Sequence, residues 1–167
     1  EVWENRLTTL DQSRSEAPRL LVFWKTDIAF HESIPDAIRA IREMARKKGI
    51  EVDDTSDAHM LEDAVLARYQ AVIFLSTQGE ILNSDQRAAF ERYIKAGGGF
   101  VGIHSAADTE SNWSWYGKLV GSRYGGSHSA TVRGMIQVEE STHVSTKELP
   151  KAWDRLDEWY DFSPNPR

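Results

Sequence analysis

The chain contains five histidines and no cysteine. Thiolate catalysis, disulfides and cysteine-bound zinc are therefore excluded, and imidazoles and carboxylates are left as its reactive side chains. His104 stands out by position. It follows the apolar run of "GGGFVGIHSAAD", residues 97–108, where turn glycines lead into a short strand-like stretch that breaks abruptly into small and polar residues. In α/β enzymes a strand that ends in such a turn often presents a serine or cysteine nucleophile. A histidine there can instead transfer protons or ligate a metal, because imidazole titrates near neutrality and is the commonest metal ligand. The plain alternative is an imidazole hydrogen-bonded within a tight turn. Position alone leaves the two in balance.

His31, His128 and His143 follow loop-like segments, and each taken singly reads as an ordinary surface residue. Imidazoles joined by a carboxylate make zinc and copper sites. No H-x-x-x-H pair is present, so a metal site must be assembled from distant segments, and the pairings of these imidazoles stay open. His59 reads as a surface residue ahead of the second helix. Asp108, just past the turn, can orient an imidazole, act as acid or base, or merely cap the next helix. Asp157 and Glu158 are adjacent and would face opposite sides of a strand, so at most one belongs to a given site.

The aromatics form a group. There are six tryptophans, and Trp113, Trp115, Tyr116, Trp159 and Tyr160 fall in the second half. Flat rings beside carboxylates and imidazoles suit the apolar faces of sugars, whereas any single tryptophan is more simply read as core.

These residues need a scaffold. "RLLVFW" and "AVIFLST" are continuous apolar runs, as expected of strands buried on both faces, with "IEVDDTSD" and "FVGIHS" as weaker companions. Between them, Ile34, Ala37, Ile38, Ile41, Met44 and Ala45 recur at helical spacing behind a Ser33–Pro35 start signal and ahead of a Gly49 stop. "LEDAVLARY" reads as a short helix. "LNSDQRAAFERYIKAGGG" reads as a helix from a cap at Asn83 or Ser84 through Lys95. Its glycines precede a strand, so they stop a helix and do not form a phosphate loop. Alternating strands and helices predict right-handed crossovers and a mostly parallel sheet with helices on both faces. Ligands of such sheets sit at the carboxyl ends of the strands, where His31 and His104 both fall. After Trp113 the rhythm changes: "WSWYGKLVG" reads as a short helix, "ATVRGMIQV" as a strand with a glycine inside it, and "LDEWYDF" as a strand or loop. Residues 1–18 read as an N-terminal arm.

A chain of 167 residues suits one domain, and 40% hydrophobic with 28% charged residues predicts a folded protein. The net charge of −6 argues against nucleic acid as the main partner. No apolar run is long enough to span a bilayer. The compartment stays open, with an extracytoplasmic location as the expectation.

Three stretches, "RAAFERYIKAGGGFVGIHSAADTE", "WYGKLVG" and "LPKAWDRLDEWYDFSPNPR", closely resemble the ThuA-like, or trehalose-utilisation, family. "FHESIPDAIRAIREM" and "YQAVIFLSTQGEILNSDQRAAF" fit it as well, so the resemblance covers Arg19 to Arg167. It implies a flavodoxin-like fold of the class I glutamine-amidotransferase type, a three-layer α/β sandwich. True amidotransferases carry a nucleophilic cysteine at the turn, and this family carries the histidine found here as His104. Glutaminase chemistry is thus excluded by residue type. The resemblance also points to His31, His104, Asp108, Tyr116, His128 and Glu158 as pocket residues, and to sugar metabolism, with members often fused to carbohydrate-binding or sugar-dehydrogenase-like domains. The chain departs from the family pattern at Ser129 and Val144, where prolines commonly stand. It also stops at Arg167, where members usually continue, so a shortened sheet is expected, whether by truncation or by a natural terminus.

The resulting expectation is a carbohydrate-active domain assisted by a divalent metal, zinc or copper. His104, Asp108 and Glu158 would serve as catalytic groups, His31, His104 and His128 as ligands, and Trp113, Trp115, Tyr116 and Trp159 as a sugar-facing wall. The rival is a non-catalytic carbohydrate-binding or accessory domain, working as a homo-oligomer or beside a fused partner.

Overall fold

The computed structural model describes residues 17–165, so residues 1–16 of the expected N-terminal arm lie outside the described residues. The chain divides into two compact units, one ending at Arg123 and the other beginning at Tyr124.

The first unit is an α/β layer structure. Strands β1 (Arg19–Phe23), β2 (Glu51–Thr55), β3 (Ala71–Leu75) and β4 (Gly99–Ile103) form one sheet in the order β2-β1-β3-β4. All three pairings are parallel, with Leu21 opposite Asp53 and Val72, and Ile73 opposite Val101. The apolar runs end up where buried parallel strands require them: Leu21, Val22, Phe23, Val72 and Phe74 are all fully buried.

Helix α1 (Ile34–Arg46) covers one face and packs Ile34 and Ile41 on Val22, Ile73 and Leu75. The other face carries α2 (Asp63–Leu66), α3 (Ser84–Lys95) and α4 (Ser114–Val120) over a core of Phe74, Phe90, Phe100 and Tyr116. Phe74 stacks on Phe90 at 5.1 Å and meets Phe100 edge-on at 5.4 Å. α2 is shorter than "LEDAVLARY" predicts. A separate 3-10 turn, Ala58–Leu61, capped by the Asp57 carboxylate, precedes it and takes Leu61, and the extended backbone of Glu62 breaks the two apart.

α3 has the predicted bounds for a local reason. The Asn83 side chain accepts from the Gln86 amide while the Gln86 side chain accepts from the Asn83 amide, a reciprocal capping box. Asn83→Ala should cost about 1 kcal/mol, read as a lower urea midpoint at unchanged slope. The glycines after α3 divide their work. Gly97 turns the chain at φ +86°, and a Cβ on Gly98 would lie 2.3 Å from the Tyr93 ring.

The second unit consists of two-stranded ribbons: β5 (Arg123–His128) with β8 (Tyr160–Ser163), and β6 (Val132–Gln137) antiparallel to β7 (Ala152–Asp157). β5 escapes prediction because Gly125 and Gly126 interrupt its pattern, with Gly126 at φ +87°. The glycine inside "ATVRGMIQV" has a packing role. A Cβ on Gly134 would lie 2.7 Å from the Trp159 indole, whose Nε1 donates to the Val132 carbonyl at 3.0 Å.

Candidate functional site

The carboxyl ends of β1, β3 and β4 are joined beyond the strands themselves. Thr26 bridges Gln78 and Gly79 bridges Thr109 in parallel sense. The Asp27 amide donates to Gln78 O at 3.1 Å, and the Gly79 amide to Asp108 O at 3.1 Å. Three loops thereby meet as one surface at the end of the sheet where its strand order reverses direction.

His104 leaves β4 in the left-handed region at φ +56°, with an exposed side chain. Such a conformation is uncommon outside glycine, although histidine adopts it more readily than most residues. Ser76, at the end of neighbouring β3, has φ +48°, and its amide donates to Ile103 O at 3.1 Å. Strained residues at adjacent strand ends are the backbone form of a presenting turn. The partner of the His104 ring is His31, whose centroid lies 4.7 Å away in an edge-on arrangement at 87°. His31 Nδ1 is buried and takes no hydrogen bond. The structure therefore brings together two imidazoles that lie far apart in the sequence, at strand ends where a reacting group is expected.

Asp108 does not cap the next helix. The cap position of α4 is Trp113, with no side-chain hydrogen bond. Asp108 Oδ2 instead accepts from Gln78 Nε2 at 2.8 Å, while Gln78 Oε1 is buried without a hydrogen bond. Gln78 is a residue that sequence reasoning missed. Its only signal is membership of "STQGEILN", one of the segments leaving a strand end. Beneath it, Thr77 and Thr109 share a hydrogen bond at 2.8 Å, and the fully buried Ser105 keeps an Oγ without a partner.

A buried acid supports these loops. Glu110 is fully buried at φ +53°. Its Oε1 accepts from the Ile81 and Leu82 amides at 2.9 and 2.8 Å, and its Oε2 lies 2.5 Å from an Arg87 nitrogen. That Oε2 receives no aligned hydrogen bond, so the contact is one of charge. Burial pushes the Glu110 carboxyl above its ordinary range, against the pull of the two amides and of Arg87. Arg87 also reaches Glu80 at 2.6 Å. Burial pushes Glu80 up as well, but hydrogen bonds from Ser111 and Asn112 and the Arg87 charge outweigh it and hold the carboxyl low.

The aromatic residues expected to face a sugar are placed differently. Tyr116 is 1% exposed, and its hydroxyl donates to Ala106 O at 2.8 Å. Burial pushes its phenol far above the usual range. Trp113 and Trp115 stack at 5.0 Å and pack, half-buried, against the core beside Phe90. In the second unit, Trp159 lies on Gly134. His128 is exposed, and its Nδ1 lies 2.9 Å from Ser129 O, within an aromatic group that includes Tyr124 and Tyr160. Asp157 ends β7, and exposed Glu158 follows it in the link to β8, its amide donating to Asp157 Oδ1. His143 is exposed with Nδ1 on Ser145, and His59 is exposed beside Glu62.

A catalytic zinc takes three protein ligands and leaves one position open. His31 and His104 offer two imidazoles side by side. Among the described residues, no group of three or more histidines, aspartates or glutamates is placed to hold a metal ion.

Comparison with known proteins agrees with the architecture. Residues 19–167 match the model of the family ThuA, described as trehalose utilisation. The crystal structure of a protein from Bacteroides uniformis ATCC 8492, described as ThuA-like, superposes with a TM-score of 0.77 at 26% identity over 91% of this chain. The chain spans 64% of the length of that protein. No curated protein matches the chain.

Proposed function

The chain belongs to the ThuA family, and on that premise we propose that its first unit binds and chemically modifies a sugar at the paired histidines on the carboxyl edge of the sheet. One observation carries the reading: His104, held at φ +56° on a strand end, meets His31 edge-on at 4.7 Å. In this reading His104 transfers a proton at a sugar hydroxyl or carbonyl, a step that positioned imidazoles most often perform in enzymes. Asp108, held by Gln78, acts as the second polar group at the substrate. Trp113, Trp115 and Tyr116 act chiefly by shaping the wall behind the site, because their rings pack against the core.

The unpartnered His31 Nδ1 fits either a substrate hydroxyl or a metal. Should a divalent ion, zinc or copper, take part, His31 and His104 are the first unit's side chains that would hold it. It would supply polarisation of a carbonyl or a more acidic bound water.

The test is a screen of mono- and disaccharides, including trehalose, for binding and for turnover, on protein whose metal content has been measured before and after chelation. Turnover that His104→Ala abolishes supports the proposal. Sugar binding without turnover favours the non-catalytic rival. Absence of sugar binding overturns both. Loss of activity on chelation, restored by zinc or copper, assigns the ion.

A further inference from the structure

On the loop that leads from β1 into His31, the structure holds an open cleft of about 440 Å³. Phe30 and Ile28 stand on its rim, 57% and 68% exposed, and Trp24 lies edge-on to Phe30 at 6.3 Å. Ile28, Phe30 and Trp24 thus place three large apolar side chains on one short loop, a patch of the kind that marks binding surfaces. The loop is held by its own contacts. The Thr26 hydroxyl donates to Ala29 O at 2.9 Å, and the Asp27 amide is tied to Gln78.

The polar lining is equally specific. Lys25 donates to Ile81 O at 3.2 Å, which leaves two of its three donors for other use. The side chains of Asp27 and Ser56 make no hydrogen bond among the described residues. Lys25 and Ser56 also line a second cleft of about 500 Å³, which continues past Asp57 and His59 toward Asn83. The two clefts thus adjoin at Lys25 and Ser56 as one groove lined by the segments that follow β1, β2 and β3. Each has the size of a small-molecule site, roughly 300–1,000 Å³.

We infer that this groove binds the neighbouring sugar units of a linear oligosaccharide whose reacting unit lies at His31 and His104. The inference rests on the sugar reading of the histidine pair. Exposed aromatic faces interleaved with uncommitted amine, carboxylate and hydroxyl groups match a glycosyl chain, which presents apolar C–H faces and a hydroxyl rim. The direction also fits. His31 directly follows Phe30, and β1 and β4 lie two strand spacings apart, about 10 Å, a span that a short oligosaccharide covers.

Calorimetric titration of the full chain tests this with glucose, mannose, xylose and N-acetylglucosamine, and with a linear tetrasaccharide of each. The expected result is that at least one tetrasaccharide binds about tenfold more tightly than its monosaccharide. Phe30→Ala should remove that difference and leave the monosaccharide affinity unchanged. Phe30 is exposed, so this variant folds, and an unchanged thermal midpoint confirms it. Trp24→Phe, which keeps a ring, should retain most of the difference. Monosaccharide binding with no gain for any tetrasaccharide, or a gain that survives Phe30→Ala, overturns the groove and leaves the histidine site standing. No binding of any sugar removes both.

Discussion

Glu110→Ala should destabilise the protein by about 3–5 kcal/mol, the usual result of removing one partner from a buried charge pair. The side chain is fully buried and serves several masters at once. It accepts from the Ile81 and Leu82 amides, and it faces Arg87. Alanine strands two buried amides without acceptors and leaves the 27% exposed Arg87 side chain with Glu80 alone. Glu110→Gln should cost distinctly less, because an amide oxygen still accepts from Ile81 and Leu82. Urea unfolding of the three proteins gives the ranking, and an alanine variant within about 1 kcal/mol of wild type would show that the loops do not depend on this carboxylate.

The same pair of variants carries a pH signature. Burial raises the folded-state pKa of Glu110 above its ordinary value of 4.5. The folded protein therefore holds this proton more tightly than the unfolded chain. The contribution is complete below the ordinary carboxylate range and is lost as pH rises through the folded value. Wild-type stability measured relative to Glu110→Gln should fall as pH increases from about 4.5. Groups such as Asp53 and Glu80, whose carboxyls are held low, slope the other way. Asp53, whose charge does not act on Glu110, is common to both proteins and cancels in the difference. A flat difference would mean that the carboxyl titrates alike folded and unfolded.

Glu110 also marks where sequence reasoning stops. The parallel strands are readable because strands buried on both faces become continuous apolar runs, and α3 is readable because its capping box is purely local. The position of His104 is readable for the same reason: a strand that breaks into small residues must present something at the break. Burial of a lone glutamate leaves no such mark. Neither do the positive φ values of Ser76 and Glu110, since nothing in their residue types demands them. The pairing of His31 with His104 depends on the order β2-β1-β3-β4, which local patterns predict only as a class. Tryptophan count likewise says nothing of facing. Trp113 and Trp115 stack on the core beside Phe90, and the exposed rings of the first unit turn out to include Phe30 on the β1 loop. Two-residue glycine interruptions hide β5 because a ribbon strand is set by its partner more than by its own pattern.

His104→Gly separates the two readings of the histidine at this turn. If His104 is there for chemistry, its backbone is held in a conformation that costs an L-residue about 1–2 kcal/mol, somewhat less for histidine. Glycine adopts φ +56° without that cost, although it loses more freedom on folding, about 0.5–1 kcal/mol. The glycine variant should therefore match wild-type stability or exceed it by up to about 1 kcal/mol, while binding no sugar productively and turning none over. His104→Val, β-branched in the same conformation, should be the least stable of the three by about 1–2 kcal/mol and equally inactive. Chemical unfolding beside the sugar screen reads both quantities. The exposure of the side chain supports this ordering, since little packing is lost when it is removed. The opposite ordering, with glycine well below wild type, would mean that the imidazole itself holds the turn through its contact with His31. The histidine pair would then be a structural clasp, and the site of any chemistry would have to be sought at Asp108 and Gln78.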